Sequence, residues 1–182
     1  MTGSRPETGT TGRRDVDLLD RIRDRLVDDL GFAGIARSDV AEPQRAAFDA
    51  LDYVGMKAYL GSLIVVGLVS ADELGEPAMA ARFDRFRAVF RAAHDLGPAA
   101  RGLVVENLTG RFALLAFVFG HTPPPERIAH VRTLKAGSAA RLGYCLAWSL
   151  DAEAARVYKH RGFPLKMYPG RGFFERTLRE AR

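Results

Sequence analysis

Apolar positions along the chain recur with helical or strand periodicity in most segments. From Asp15 onward, Leu19, Ile22, Leu26 and Leu30 return every three or four residues, which predicts an amphipathic helix stopped by Gly31. A second helix is predicted over residues 43–60, with Phe48, Leu51 and Met56 inward. Residues 63–69 form a continuous, largely β-branched apolar run, expected to be a central strand covered on both faces. Pro77 opens a long helix to about residue 96, with a stripe of Met79, Phe83, Phe86 and Phe90 and a stop at Gly97-Pro98. Residues 103–108 and 111–119 flank Thr109-Gly110 and read as a hairpin. Pro123, Pro124 and Pro125 begin a helix through Leu134. Residues 144–150 are the next buried strand, and residues 151–163 read as a short helix ending at Gly162. A strand-like piece over residues 163–167 precedes a terminal helix that packs through Phe174 and Leu178.

The order is two N-terminal helices and then β-α-β-β-α-β-α-β-α. It predicts an α/β fold with one mixed β-sheet flanked by helices. Part of the same order fits a ferredoxin-like split. With 182 residues the chain suits a single domain. The organisation expected is a disordered tail over residues 1–14, a helical extension over 15–62, and an α/β domain over 63–182 with a basic C-terminal helix.

Charge changes this picture at one end only. Of the formal +5, residues 156–182 carry eight Lys/Arg against two Glu, a net of +6, so the remaining residues sum to −1. Such an end attracts anionic partners. Lys159, Arg161, Lys166, Arg171 and Arg176 are the candidate anion- or partner-binding residues. A single cysteine rules out an internal disulfide and favours a cytoplasmic setting. No apolar run reaches the roughly 18 residues of a membrane span, and the N-terminus lacks the apolar core of a signal peptide.

Candidate chemistry is sparse. His94, His121, His130 and His160 are scattered without ligand spacing, so no metal site is expected. No glycine-rich phosphate cradle is present. Cys145 lies in an apolar strand beside Trp148, a place where cysteine behaves as a small hydrophobe.

The segment from Asp151 to Phe163 is the exception. As a helix it would set Ala154, Val157, Tyr158 and Arg161 on one face. Asp151, Ala154, the pair Val157-Tyr158 and the pair Gly162-Phe163 stand at the offsets of the segment after strand five in the GNAT acyltransferases, and residues 143–163 resemble that family. The resemblance implies an acyl-CoA thioester such as acetyl-CoA as cofactor. It also implies Tyr158 as the general acid that protonates the departing thiolate. Glu106 and His121, near predicted strand ends, are candidates for the base, and an amide of the 111–119 strand would polarise the thioester carbonyl. The family's pyrophosphate loop has no counterpart; residues 120–125 carry three prolines there, which lack amide donors. The resemblance thus fits an active acyltransferase or a degenerate one.

The competing reading is a non-catalytic regulatory or assembly domain that holds an acidic protein partner through the basic C-terminal segment. Nucleic-acid binding is the lesser alternative, resting on Tyr158, Phe163, Tyr168 and Phe173 interleaved with cations.

Overall fold

In a computed structural model, residues 11–40, 42–59, 62–91, 110–138, 143–160 and 168–182 are described. The elements are α1 (Thr11–Asp28), β1 (Ala33–Gly34), α2 (Glu42–Phe48), β2 (Tyr53–Tyr59), β3 (Ser62–Ser70), α3 (Glu76–Arg91), β4 (Gly110–Phe119), α4 (Pro125–Thr133), β5 (Lys135–Ser138), β6 (Gly143–Asp151), β7 (Arg156–Tyr158) and α5 (Arg171–Glu180).

The predicted mixed-sheet α/β architecture is what the chain adopts: among the described residues, seven strands in the order β1-β2-β3-β4-β6-β5, with β7 also on β6. β3, β4 and β6 are parallel, and the remaining pairings are antiparallel. β3 and β4 pair in parallel, whereas a ferredoxin-like split would set these two strands antiparallel.

Alternation along the three central strands builds two cores. Leu63, Val65 and Val69 of β3, Ala113, Leu115 and Phe117 of β4, and Cys145 and Ala147 of β6 face α3 and α4. Ile64, Val66 and Leu68, then Leu114, Ala116 and Val118, then Leu146, Trp148 and Leu150 face α1 and α5. This two-sided burial is why residues 63–69 read as an unbroken apolar run rather than an alternating one. On α3 the buried stripe is Met79, Phe83, Phe86 and Val89, with Phe90 at its margin. α1 contributes Leu18, Ile22 and Leu26, and Gly31 ends its last turn with φ +67° while its N–H reaches the Val27 carbonyl.

Three expectations are corrected. α1 begins at Thr11, so residues 11–14 are helical and not part of a disordered tail. The helix predicted over residues 43–60 ends at Phe48, and residues 53–59 are β2. There Val54 and Met56 turn into one core while Tyr53, Lys57 and Tyr59 take the other face, a two-residue period that seven ladder pairs with β3 enforce. The boundary drawn at residue 62 therefore falls inside the β2–β3 hairpin, and β2 belongs to the sheet.

The third correction concerns residues 151–163. Asp151 is the last residue of β6, residues 152–155 form a turn, and Arg156–Tyr158 return as β7 antiparallel to β6. Ala155 takes a left-handed φ of +49°, which a helix cannot continue through. The edge of β6 supplies the competing force. β5 pairs only with residues 143–146, so the backbone from Ser149 to Asp151 is satisfied by β7 instead. Residues 103–108 and 163–167, both read as strands, lie outside the described residues.

Candidate functional site

The strand geometry at the end of β6 decides where Tyr158 points. Ser149 pairs with Tyr158, Leu150 with Val157 and Asp151 with Arg156. Val157 enters the core beside α1 and α5, so Tyr158 stands on the opposite face with Ser149 and Asp151. A helix would have set Val157 and Tyr158 side by side; the strand sends them to opposite faces of the sheet.

Asp151 is fully buried and works as a hub. Its Oδ1 accepts the Ala154 amide at 2.8 Å and the Thr122 hydroxyl at 3.2 Å, and its Oδ2 accepts the Tyr158 hydroxyl at 3.3 Å. The Ala154 contact is the local one: an aspartate at a strand end that caps the turn after it. Over the other side of the half-buried tyrosine, the Arg132 guanidinium of α4 lies 5.8 Å from the ring centroid, a cation–π contact. Sequence reasoning weighed neither Asp151 as an acceptor nor Arg132 and Thr122 as neighbours. The spacing of Asp151 and Tyr158 signals their contact only once residues 156–158 are known to be a strand.

The turn after β4 lies beside this hub. The Gly120 amide donates to Asp72 Oδ2 at 2.7 Å, the His121 amide to Asp72 Oδ1 at 3.4 Å, and the Thr122 amide to Glu153 Oε2 at 2.8 Å. The last bond holds the Glu153 carboxyl below its ordinary pKa, against a smaller opposing desolvation. Arg127 fastens α4 to the same corner by donating to the Asp72 carbonyl at 2.8 Å. His121 itself is exposed. Glu106 lies outside the described residues. β4 is laddered along its length to β3 on one edge and to β6 on the other, so its amides serve the sheet. The amides of β4 and of the 120–122 turn are thus already given to neighbouring strands or to carboxylates.

Burial among the β-strands pushes the Cys145 thiol up to about 12 from an ordinary value near 9.0, which is the state of a core residue and not of a nucleophile. Among the described residues, no three His, Cys, Asp or Glu side chains come together as a metal site, and no helix is long and apolar enough to cross a membrane.

The basic residues predicted as a binding surface divide differently. Arg161 and Lys166 lie outside the described residues. Lys159 is exposed just past β7. On α5, Phe174, Thr177 and Leu178 face inward, while Arg171, Arg176 and Arg179 are exposed, as is Arg182 just past the helix. Both glutamates of this helix are already engaged. Glu175 takes Arg171 Nε at 2.6 Å and the Val157 amide at 3.4 Å, and Glu180 pairs with Arg25 of α1. Arg179 and Arg182 each spend one N–H on a backbone carbonyl, of Glu175 and Ala152. Among the described residues no carboxylate pairs with Arg176, Arg179, Arg182 or Lys159.

At the start of α5 stands a column of rings that sequence patterning did not reveal. Phe32, Tyr168 and Tyr59 are stacked in that order, with 6.2 Å and then 4.1 Å between ring centroids and 10° between planes at both steps. Phe32 is buried and Tyr59 is 38% exposed, so the column runs from core to solvent. Lys57 Nζ lies 5.5 Å from the Tyr168 ring centroid and donates to the Leu30 carbonyl.

No protein-family model, curated protein or solved structure matches the chain.

Proposed function

We propose that this protein is a non-catalytic binding domain that holds an acidic partner along the outer face of α5. The observation that carries the reading is the uncompensated charge of that face. Among the described residues, Arg176, Arg179 and Arg182 are exposed with no carboxylate in salt-bridge contact, while Glu175 is engaged by Arg171 and the Val157 amide and the exposed Glu180 by Arg25. A row of cations on a rigid helix collects a polyanion at low entropic cost and releases it as salt rises.

Acyl transfer asks for other things at the end of β6. A general acid must direct its proton at the leaving group. The one hydroxyl proton of Tyr158 is directed at Asp151, and the amides of the 120–122 turn are donated to Asp72 and Glu153.

The test is a thermal-shift titration with a polyanion such as heparin at low and at high salt, with acetyl-CoA in a parallel arm. A saturable rise in Tm with heparin, reduced by salt and by the double variant Arg176→Glu/Arg179→Glu, is the expected result. A rise with acetyl-CoA alone would overturn the binding reading in favour of acyl transfer through Tyr158.

A further inference from the structure

We infer that the acidic partner is a single-stranded nucleic acid, one of whose bases extends the Phe32–Tyr168–Tyr59 column. The inference rests on the acidic-partner reading above and adds to it a second, independent contact. Three parallel rings run from buried Phe32 through Tyr168 to Tyr59, which is 38% exposed and stacks on Tyr168 by one face. The column is stiff because its rings come from separate parts of the fold: Phe32 follows the Gly31 stop of α1, Tyr59 ends β2, and Tyr168 stands two residues before Gly170, the N-cap of α5. Lys57 shares the Tyr59 face of β2 and brings a cation to the middle ring.

Tyr168 also places the column at the head of the cationic row. The helix runs about 14 Å from Arg171 to Glu180 at 1.5 Å per residue, carrying Arg176 and Arg179, with Arg182 just past its end. An acidic peptide would satisfy the arginines and leave the ring face without a matching group. A nucleic-acid strand carries both features at once, phosphates for the arginines and planar bases for the tyrosine. The strand must be single, because in a duplex the base faces are occupied by their neighbours.

Fluorescence anisotropy with labelled oligothymidylate and oligouridylate, beside an abasic strand of equal phosphate number, tests this. Wild-type protein is expected to bind the base-bearing strands more tightly than the abasic one. Tyr59→Ala should weaken base-bearing strands about tenfold and leave the abasic strand unchanged, while Tyr59→Phe retains binding. Equal affinity for base-bearing and abasic strands, or a Tyr59→Ala variant that changes neither, overturns the inference and leaves the acidic-partner reading standing. Absence of binding to every strand and to heparin overturns both. Base-dependent binding that survives Arg176→Glu/Arg179→Glu would keep the stacking site and remove α5 from the interface. The melting temperature of Tyr59→Ala, read beside that of Tyr59→Phe, separates loss of the stacking face from loss of the fold.

Discussion

The Tyr158 hydroxyl donates to Asp151 Oδ2 at 3.3 Å, between two residues that sit on one face of adjacent antiparallel strands. The pair defines a hierarchy. Asp151 gathers three donors, of which Tyr158 is one. Tyr158→Phe is expected to cost about 1 kcal/mol of stability, and Asp151→Ala about 3 kcal/mol, because it strands all three donors. Urea unfolding of the two variants measures the difference. An Asp151→Ala loss no larger than that of Tyr158→Phe would remove the carboxylate from its place as hub.

Gly67 of β3 faces Phe86 so closely that a Cβ there would lie 2.7 Å from Phe86 Cε2 and 3.0 Å from Leu115 Cδ1. Gly67→Ala is therefore an overpacking change, expected to destabilise by about 1–3 kcal/mol. In a Phe86→Leu background the same alanine should cost less, and a double-mutant cycle reads the coupling. Additive effects would show that the two side chains do not compete for one space.

Two other glycines should respond in opposite directions. Gly137 on β5 has φ +94°, and its Cβ would collide with the Gly143 carbonyl oxygen of β6, so alanine there is both strained and blocked. Hydrogen exchange of the β5 and adjoining β6 amides should accelerate in Gly137→Ala. Gly172 lies in the exposed first turn of α5 with nothing near its Cβ position. Gly172→Ala should be neutral or stabilising by up to about 1 kcal/mol. A loss of stability at Gly172 would mean that its backbone has a requirement beyond helix formation.

The alkaline pH dependence follows from buried Cys145 and partly buried Tyr53. Burial raises the Cys145 thiol to about 12 and the Tyr53 phenol to about 12, the latter against an opposing effect of Arg23. Both groups hold their protons more tightly folded than unfolded. Their contribution is complete below the unfolded values of about 9 and 10 and is lost as pH rises toward 12. Denaturation midpoints should thus stay level to about pH 9 from this cause and then fall. Cys145→Ala and Tyr53→Phe should each flatten the fall. The native Cys145 thiol should also react with thiol reagents only at the rate of unfolding, and fast native-state labelling would contradict its core position.

Much of the sheet was legible because its central strands carry the strongest local signals. Residues 63–69 and 144–150 are apolar on both faces, a pattern only a doubly covered strand or a wholly buried helix satisfies. α3 and α5 were legible from their stripes. Residues 53–59 and 156–158 were not, since each mixes helix formers and strand formers, and their state is chosen by pairing with the edge of the neighbouring strand, β3 for the first and β6 for the second. The candidate site suffered most from this. Tyr158 was found from local spacing, but the face it takes was read through a helix that the β6 edge does not permit. The ring column joins residues 32, 59 and 168, a coincidence that no window along the chain contains.

The parallel register of β3, β4 and β6 bears on how the chain reaches its native state. Ser62 meets Gly110, and Arg111 meets Gly143, so both central pairings close large loops before any ladder energy is gained. The β2–β3, β5–β6 and β6–β7 pairings are local hairpins by comparison. Assembly should therefore begin at these three lateral pairings and finish at the centre, with β4 arriving last between them. A kinetic experiment would then find the slow step in the strand that ends up most deeply covered.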